Sequence, residues 1–289
     1  MVLRLLLLLL VFTFESIGIT KNLLKISTFN VKLYGMGGEW VGQPSDEYRD
    51  FWIREFMSAT IGDSDVIVFQ EIVNDKHFIS ERAKGGFNCL SYSHNDEKHQ
   101  HVVICYLATQ YDFAKEEGDD NYTMEEVAFG RLRPALHGTL TGKDGKHLIR
   151  IVGVHLKASL KDYETRYKQV ALITKGLKSV DNKIPTIVLG DFNTYDQTND
   201  VGVLTENFKE VNLVHINNLD HSTYMTPQWK SRFDPFWVSS TLEGASIYKV
   251  YGPCAIQGDI TSKSKYDNLY FYNRFISDHC PVSLTLELE

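Results

Sequence analysis

Apolar and polar positions along the chain recur with two periods. Residues 25–31 set Ser27, Phe29 and Val31 against Ile26, Thr28 and Asn30, the period of two expected of a strand. Residues 65–70 hold instead the unbroken apolar run Val66-Ile67-Val68-Phe69. Residues 101–107, 148–156, 186–189, 235–239 and 282–288 are similar runs, rich in β-branched and aromatic residues. Fully apolar strands of this kind sit at the centre of a sheet, covered on both faces. Two segments carry the helical period. Tyr48, Trp52, Phe56 and Ala59 form one stripe, and Tyr163, Tyr167, Val170, Ile173 and Leu177 form another within residues 162–177. Both stripes are read as core-facing. Between apolar runs, Thr141-Gly142-Lys143-Asp144-Gly145-Lys146 predicts a hairpin turn. Strands and helices are interspersed from end to end, so the expected class is mixed α and β around extensive sheet.

The N-terminus breaks this pattern. Arg4 precedes an apolar run over residues 5–14, followed by Ser16, Ile17 and Gly18, the arrangement of an export signal cut after Gly18. The run is shorter than the roughly 20 residues that a membrane-spanning helix needs. The expectation is a signal peptide over residues 1–18 and one catalytic domain over 19–289, secreted, monomeric and without stable membrane association. Losing residues 1–18 removes one positive charge (Arg4) and one negative (Glu15), so the net charge stays at −7. An acidic protein does not attract phosphates by its overall field; it needs a bound cation and a local basic patch. Four cysteines, Cys89, Cys105, Cys254 and Cys280, permit two disulfides in three pairings, although Cys105 inside its apolar run also reads as a small buried hydrophobe. The absence of Cys-x-x-Cys spacing argues against a cysteine zinc site.

Chemistry-bearing residues recur where the apolar runs end. Asn30, Glu71 and His155 close three of them, Asp191 and Asn193 follow a fourth, and Asp278 and His279 precede the last. Singly, each has a structural explanation as a turn or cap residue. Jointly they supply oxygen ligands for a hard cation, imidazoles that exchange protons near neutrality, and amides that bind phosphate oxygens without repulsion. That combination suits metal-assisted attack of water on a phosphate ester.

The segments Ser27-Thr28-Phe29-Asn30-Val31, Val68-Phe69-Gln70-Glu71, Gly153-Val154-His155-Leu156-Lys157, Gly190-Asp191-Phe192-Asn193, Phe233-Asp234-Pro235-Phe236-Trp237-Val238-Ser239 and Ser277-Asp278-His279-Cys280-Pro281-Val282 resemble, in order, the motifs of the endonuclease/exonuclease/phosphatase superfamily typified by deoxyribonuclease I. The resemblance implies an α/β (α+β) four-layer sandwich, two packed mixed β-sheets flanked by helices, with the site at one end of the sheets. It implies metal ligation by Glu71, with Asp278 at a second metal position. Asn30 and Asn193 would hold the phosphate and the metal's waters. Asp191 or His279 would be the base, His279 being paired with Asp234, and His155 would assist the leaving group. Arg131 or Arg133 would reach a substrate phosphate, bidentate geometry being the physical reason. Lys157 would add positive charge on the face of His155. The implied cofactor is Mg²⁺ or Mn²⁺, with Ca²⁺ as an alternative, and the implied partner is nucleic acid, DNA before RNA.

Two departures stand out. Gln100 occupies the place where such nucleases carry a Glu supporting the leaving-group His, and an amide cannot stabilise imidazolium as a carboxylate does. Pro235 follows the Asp where a His is usual. Among other clusters, His94, Asp96, Glu97, His99 and His101 read as a solvated loop. Asp196-x-Thr198-x-Asp200 lacks the Gly and Glu of a calcium loop. Residues 35–38 lack the Lys-Ser/Thr of a P-loop and read as a flexible loop beside Asn30. Tyr34, Tyr106 and Tyr163 read as packing residues rather than base-stacking platforms. Alternative functions are a phosphatase or sphingomyelinase-like phosphodiesterase on the same core, or an inactive binding protein.

Overall fold

A computed structural model describes residues 22–37, 44–94, 96–115, 122–181, 183–216, 221–255 and 263–288. The expected export signal, residues 1–18, and Gly38 lie outside this range. In chain order the elements begin β1 (Asn22–Tyr34), α1 (Asp46–Thr60), β2 (Val66–Ile72), α2 (Asp75–Ala83), β3 (Phe87–Leu90), β4 (His101–Leu107), β5 (Tyr111–Ala114), β6 (Thr123–Met124), β7 (Ala135–Gly142) and β8 (His147–His155). There follow α3 (Tyr163–Lys178), β9 (Thr186–Asp191), α4 (Asp200–Lys209), β10 (Leu213–Ile216), β11 (Tyr224–Met225), β12 (Lys230–Ser231), β13 (Phe236–Ser239), β14 (Ser246–Val250), α5 (Lys263–Phe275) and β15 (Val282–Leu288).

The strands make two large mixed sheets. The first runs β14-β15-β1-β2-β4-β3 and the second β10-β13-β9-β8-β7-β5, with β6 added beside β7. Each sheet has a single parallel pair among the described strands, β1 with β2 and β8 with β9. The remaining pairs are antiparallel, including the predicted β7–β8 hairpin. The period of two is visible in the packing of β8 and β9. Ile149, Ile151, Ile187 and Leu189 turn towards the other sheet, and Val152, Val154 and Val188 turn out towards α3 and α4. Two glycines allow close approaches, Gly153 between the sheets and Gly190 between the neighbouring strands β8 and β9. A Cβ on Gly153 would lie 2.7 Å from Val68 Cγ1 across the sheets, and one on Gly190 (φ +134°) would lie 2.1 Å from the Val154 carbonyl oxygen. The four-layer expectation therefore holds, with α1, α2 and α5 on one outside and α3 and α4 on the other.

The helix faces were read less well. On α1 the buried residues are Arg49, Ile53 and Met57, whereas Tyr48 and Trp52 are 67% and 37% exposed. The reason is the chemistry of Arg49. Its guanidinium donates to the Val31 and Ile276 carbonyls at 2.6 and 3.0 Å, so a charged residue occupies the core face. On α3 the stripe holds at Val170, Ile173 and Leu177, but Tyr163 is exposed and Arg166 and Gln169 are buried. The His94–His101 segment is also corrected. His99 and His101 are buried, His99 bonded to the Tyr92 hydroxyl (2.8 Å) and His101 to the Ile72 carbonyl (3.0 Å). Tyr34 and Tyr106 are buried, as expected. The cysteines pair as Cys89–Cys105 and Cys254–Cys280.

Candidate active site

The parallel pairs decide where the polar strand ends meet. Strands that run the same way finish at the same edge, and the two pairs finish at the same end of the sandwich. Asn30 and Glu71 come from β1 and β2, and His155 and Asp191, register partners, come from β8 and β9. Ligand sites in open sheets lie at such carboxyl ends.

Asn30 is the hub. Its Nδ2 donates to Glu71 Oε1 at 3.0 Å and Asp191 Oδ2 at 2.9 Å, and lies 3.5 Å from His279 Nε2. The Lys32 amide donates to Asn30 Oδ1 (2.9 Å), and the Ser277 hydroxyl to the Asn30 carbonyl (2.6 Å). Glu71 sits in a register shift of the β2–β4 ladder with φ +60°, a conformation that turns its side chain out of the ordinary alternation. Its second oxygen accepts from the Leu33 amide at 3.0 Å.

Asp191 is fully enclosed. Besides Asn30 it accepts from the Asn193 amide at 2.9 Å, and its Oδ2 lies 3.5 Å from His155 Nε2 and 3.7 Å from His279 Nε2. Burial, reinforced by the nearby Asp234 and Glu71 charges and opposed by His279, raises its pKa to about 7. Asn193, at φ +50°, reaches back with Nδ2 to the Leu156 carbonyl (3.3 Å).

The two histidines differ. His279 Nδ1 lies 2.9 Å from Asp234 Oδ2. Burial disfavours its charge, but Asp234 and Asp191 outweigh that and lift its pKa to about 10. His155 is just as buried, and its Nδ1 has no hydrogen-bond partner among the described residues. Burial and the Arg133 charge hold it well below the ordinary imidazole value. Among the described residues no carboxylate backs its Nδ1, in line with the Gln100 departure.

The other sequence-picked residues separate. Arg133 is half-buried, donates from Nη2 to the Leu156 carbonyl at 2.8 Å, and feels the Glu71 and Asp191 charges. Arg131 is exposed on the preceding turn. Lys157 lies beyond the end of β8, and its ammonium pairs with Asp162 at 3.0 Å, away from the strand face assumed for it. Asp278 pairs with Lys32 Nζ at 2.9 Å and is not in the cluster of donor atoms formed by Glu71, Asp191 and His279, which lie within 4.8 Å of one another.

Two supporting residues escaped sequence reasoning. Lys32, at φ +46°, holds Asp278. Asp200, seen only as part of a failed calcium motif, is fully buried and accepts from Arg166 Nη2 (2.7 Å) and the Tyr195 amide (2.9 Å). It thereby anchors the loop that carries Asn193. The available signal was a charged residue, Arg166, on the buried face of α3.

No protein-family model matches the sequence, and no curated protein is significantly similar to it. Solved structures match in shape at low identity. TDP2 from D. rerio, complexed with single-strand DNA product, is 15% identical with a TM-score of 0.63, covering 92% of this chain and 99% of that one. An endonuclease/exonuclease/phosphatase family protein from Bacteroides thetaiotaomicron is 16% identical (TM-score 0.63; 92% and 98% covered). A mannosyl-6-phosphatase from the same organism is also 16% identical (TM-score 0.62; 91% and 99% covered). This chain therefore has the two-sheet, four-layer fold of the endonuclease/exonuclease/phosphatase group.

Proposed function

We propose that the protein is an exported, divalent-metal-dependent phosphodiesterase, and that its substrate is nucleic acid, DNA before RNA. The observation that carries this reading is the convergence of Asn30, Glu71, His155, Asp191 and His279 from both sheets on one small volume. The donor set fits a hard cation, since Glu71 offers carboxylate oxygens beside the second carboxylate of Asp191, while the Asn30 amide nitrogen faces both and its Oδ1 accepts from the Lys32 amide. Glu71 is the principal ligand and Asn30 its neighbour; Asp278, tied to Lys32, enters only if that ion pair opens. A bound Mg²⁺ or Mn²⁺, or Ca²⁺ in their place, supplies charge for the phosphate oxygens and acidifies water.

The residues divide the remaining work. With a pKa of about 7, Asp191 is suited to take the proton of the attacking water. Charged His279, kept so by Asp234, hydrogen-bonds a phosphoryl oxygen and steadies negative charge as it develops. On this reading Asp191, rather than His279, is the base. Neutral His155 orients the phosphate by hydrogen bonding, and Asn193 and Arg133 line the same end of β8. The apolar run after Arg4 and the two disulfides among the described residues support export. No helix of the described residues is long and apolar enough to cross a membrane.

A second reading, phospholipid diester hydrolysis, draws support from the exposed aromatics Tyr48, Phe51, Trp52, Tyr270 and Phe271 on α1 and α5. Tyr and Trp side chains favour a membrane interface. One experiment separates the two. Closed circular plasmid and sphingomyelin-containing vesicles are each incubated with protein, Mg²⁺ and a Glu71→Ala control. Nicking by the native protein alone supports the nuclease; headgroup release with an intact plasmid moves the assignment to the lipid branch.

A further inference from the structure

A second group of metal-type ligands lies outside this site, where α1, α2 and the end of β1 meet. His77 and Glu81 are four residues apart on α2 and so share one face of that helix. Asp50 on α1 faces them, and one ligand atom from each of the three lies within 4.8 Å of the others. We propose that Asp50, His77 and Glu81 bind a zinc ion that clamps α1 to α2.

The spacing suits zinc. Ligands about 2.1 Å from a tetrahedral zinc lie roughly 3.4 Å apart, and His77 Nε2 is 3.3 Å from Asp50 Oδ2. Glu81, whose carboxylate is paired with the exposed Lys84, closes the rest of the distance by a rotamer change, and water takes the fourth position. One nitrogen and two carboxylate oxygens form a set that zinc accepts.

The surroundings hold the ligands as a metal site requires. The free oxygen of Asp50 accepts from the Tyr34 hydroxyl at 2.9 Å and lies 3.8 Å from Arg82 Nη2. The Tyr34 ring lies parallel to the His77 imidazole, with an interplanar angle of 6°. The His77 amide donates to Asn74 Oδ1, which caps α2. Hydrogen-bonded carboxylates and fixed rings of this kind preset ligand geometry. None of these three residues is used at the catalytic end. Yet α2 begins only four residues after Glu71, and Tyr34 lies four after Asn30. The ion would therefore stiffen both connections that leave the catalytic strands β1 and β2.

The test uses the full chain carrying Glu71→Ala, which weakens cation binding at the catalytic cluster, compared with Glu71→Ala/His77→Ala and Glu71→Ala/Glu81→Gln. Zinc binding is measured by equilibrium dialysis, and Co²⁺ absorption reports coordination geometry. The first protein is expected to bind one Zn²⁺ per chain at this site, to show tetrahedral Co²⁺ bands and to gain thermal stability. Each second substitution should weaken that binding at least tenfold and abolish the bands. His77 is half-exposed, so its loss leaves the core intact, and Glu81→Gln keeps the side-chain size. A His94→Ala control, removing a surface imidazole elsewhere, should change nothing. Equal stoichiometry and affinity in all the proteins, or no bound zinc in any, would overturn the proposal.

Discussion

The end of β8 and the segment leading into β15 each bring one buried imidazole to the same Asp191 oxygen, at 3.5 and 3.7 Å. Similar depth and similar distance do not give similar chemistry. His279 is backed by Asp234 and stays protonated; His155 has no partner at Nδ1 among the described residues, lies beside Arg133 and stays neutral. Burial alone pushes both in one direction, so what separates them is the partner on the far side of the ring. A position in a site does not assign a role until the atom behind it is known.

The strongest attack on this contrast is to remove each imidazole. His279→Ala is expected to lower kcat by roughly 10²–10⁴-fold with little change in KM. His155→Ala should cost only about tenfold, the worth of one neutral hydrogen bond. Equal losses would mean that the two rings stabilise the transition state to the same degree. Next in size is Asp234→Asn, expected to lower kcat about 10²-fold or more while leaving the fold intact, because an amide no longer keeps the ring charged. A His279 titration in the variant, followed by NMR, should then fall towards the ordinary imidazole range. The proposed phosphodiesterase activity should vanish with chelator and return with Mg²⁺ or Mn²⁺; full activity in excess chelator after metal stripping would remove the metal from the mechanism.

A subtler test uses stability in the metal-free protein. His279 has a folded pKa of about 10, above its unfolded value, so its contribution is whole below about pH 6.5 and is lost as the pH rises through 10. His155 has a lowered folded pKa. Its contribution is whole above about pH 6.5 and is lost as the pH falls through the unfolded and then the folded value. The urea midpoints of His279→Ala and His155→Ala should therefore tilt in opposite senses relative to wild type between pH 5 and 9. Parallel curves would show that the two rings are electrostatically alike.

The central strands were legible because 101–107 is a nearly unbroken apolar run and 282–288 alternates apolar with polar residues, and the two match β4 and β15 to the residue. The catalytic groups were legible because each interrupts such a run at its end. What stayed hidden depends on partners distant in sequence. Arg49 faces the core only because two carbonyls from β1 and the end of α5 await it. Lys32 meets Asp278 across 246 positions of sequence, 278 − 32, which no local period reveals. The short strands β3, β5, β6, β10, β11, β12 and β14 carry too few residues to show a period at all.

Cys280 follows His279 directly, and its sulfur is joined to Cys254. Closing such a loop typically adds about 2–4 kcal/mol, here applied next to the residue that must stay charged. A chain made in a reducing compartment would hold every catalytic side chain and lack the brace on one of them. If the protein is the exported nuclease proposed above, it would thus be slackened until it had left the place where its maker's nucleic acid is kept. Activity of the freshly made, reduced chain should rise on oxidation, and a Cys254→Ser/Cys280→Ser variant should behave as the reduced form permanently.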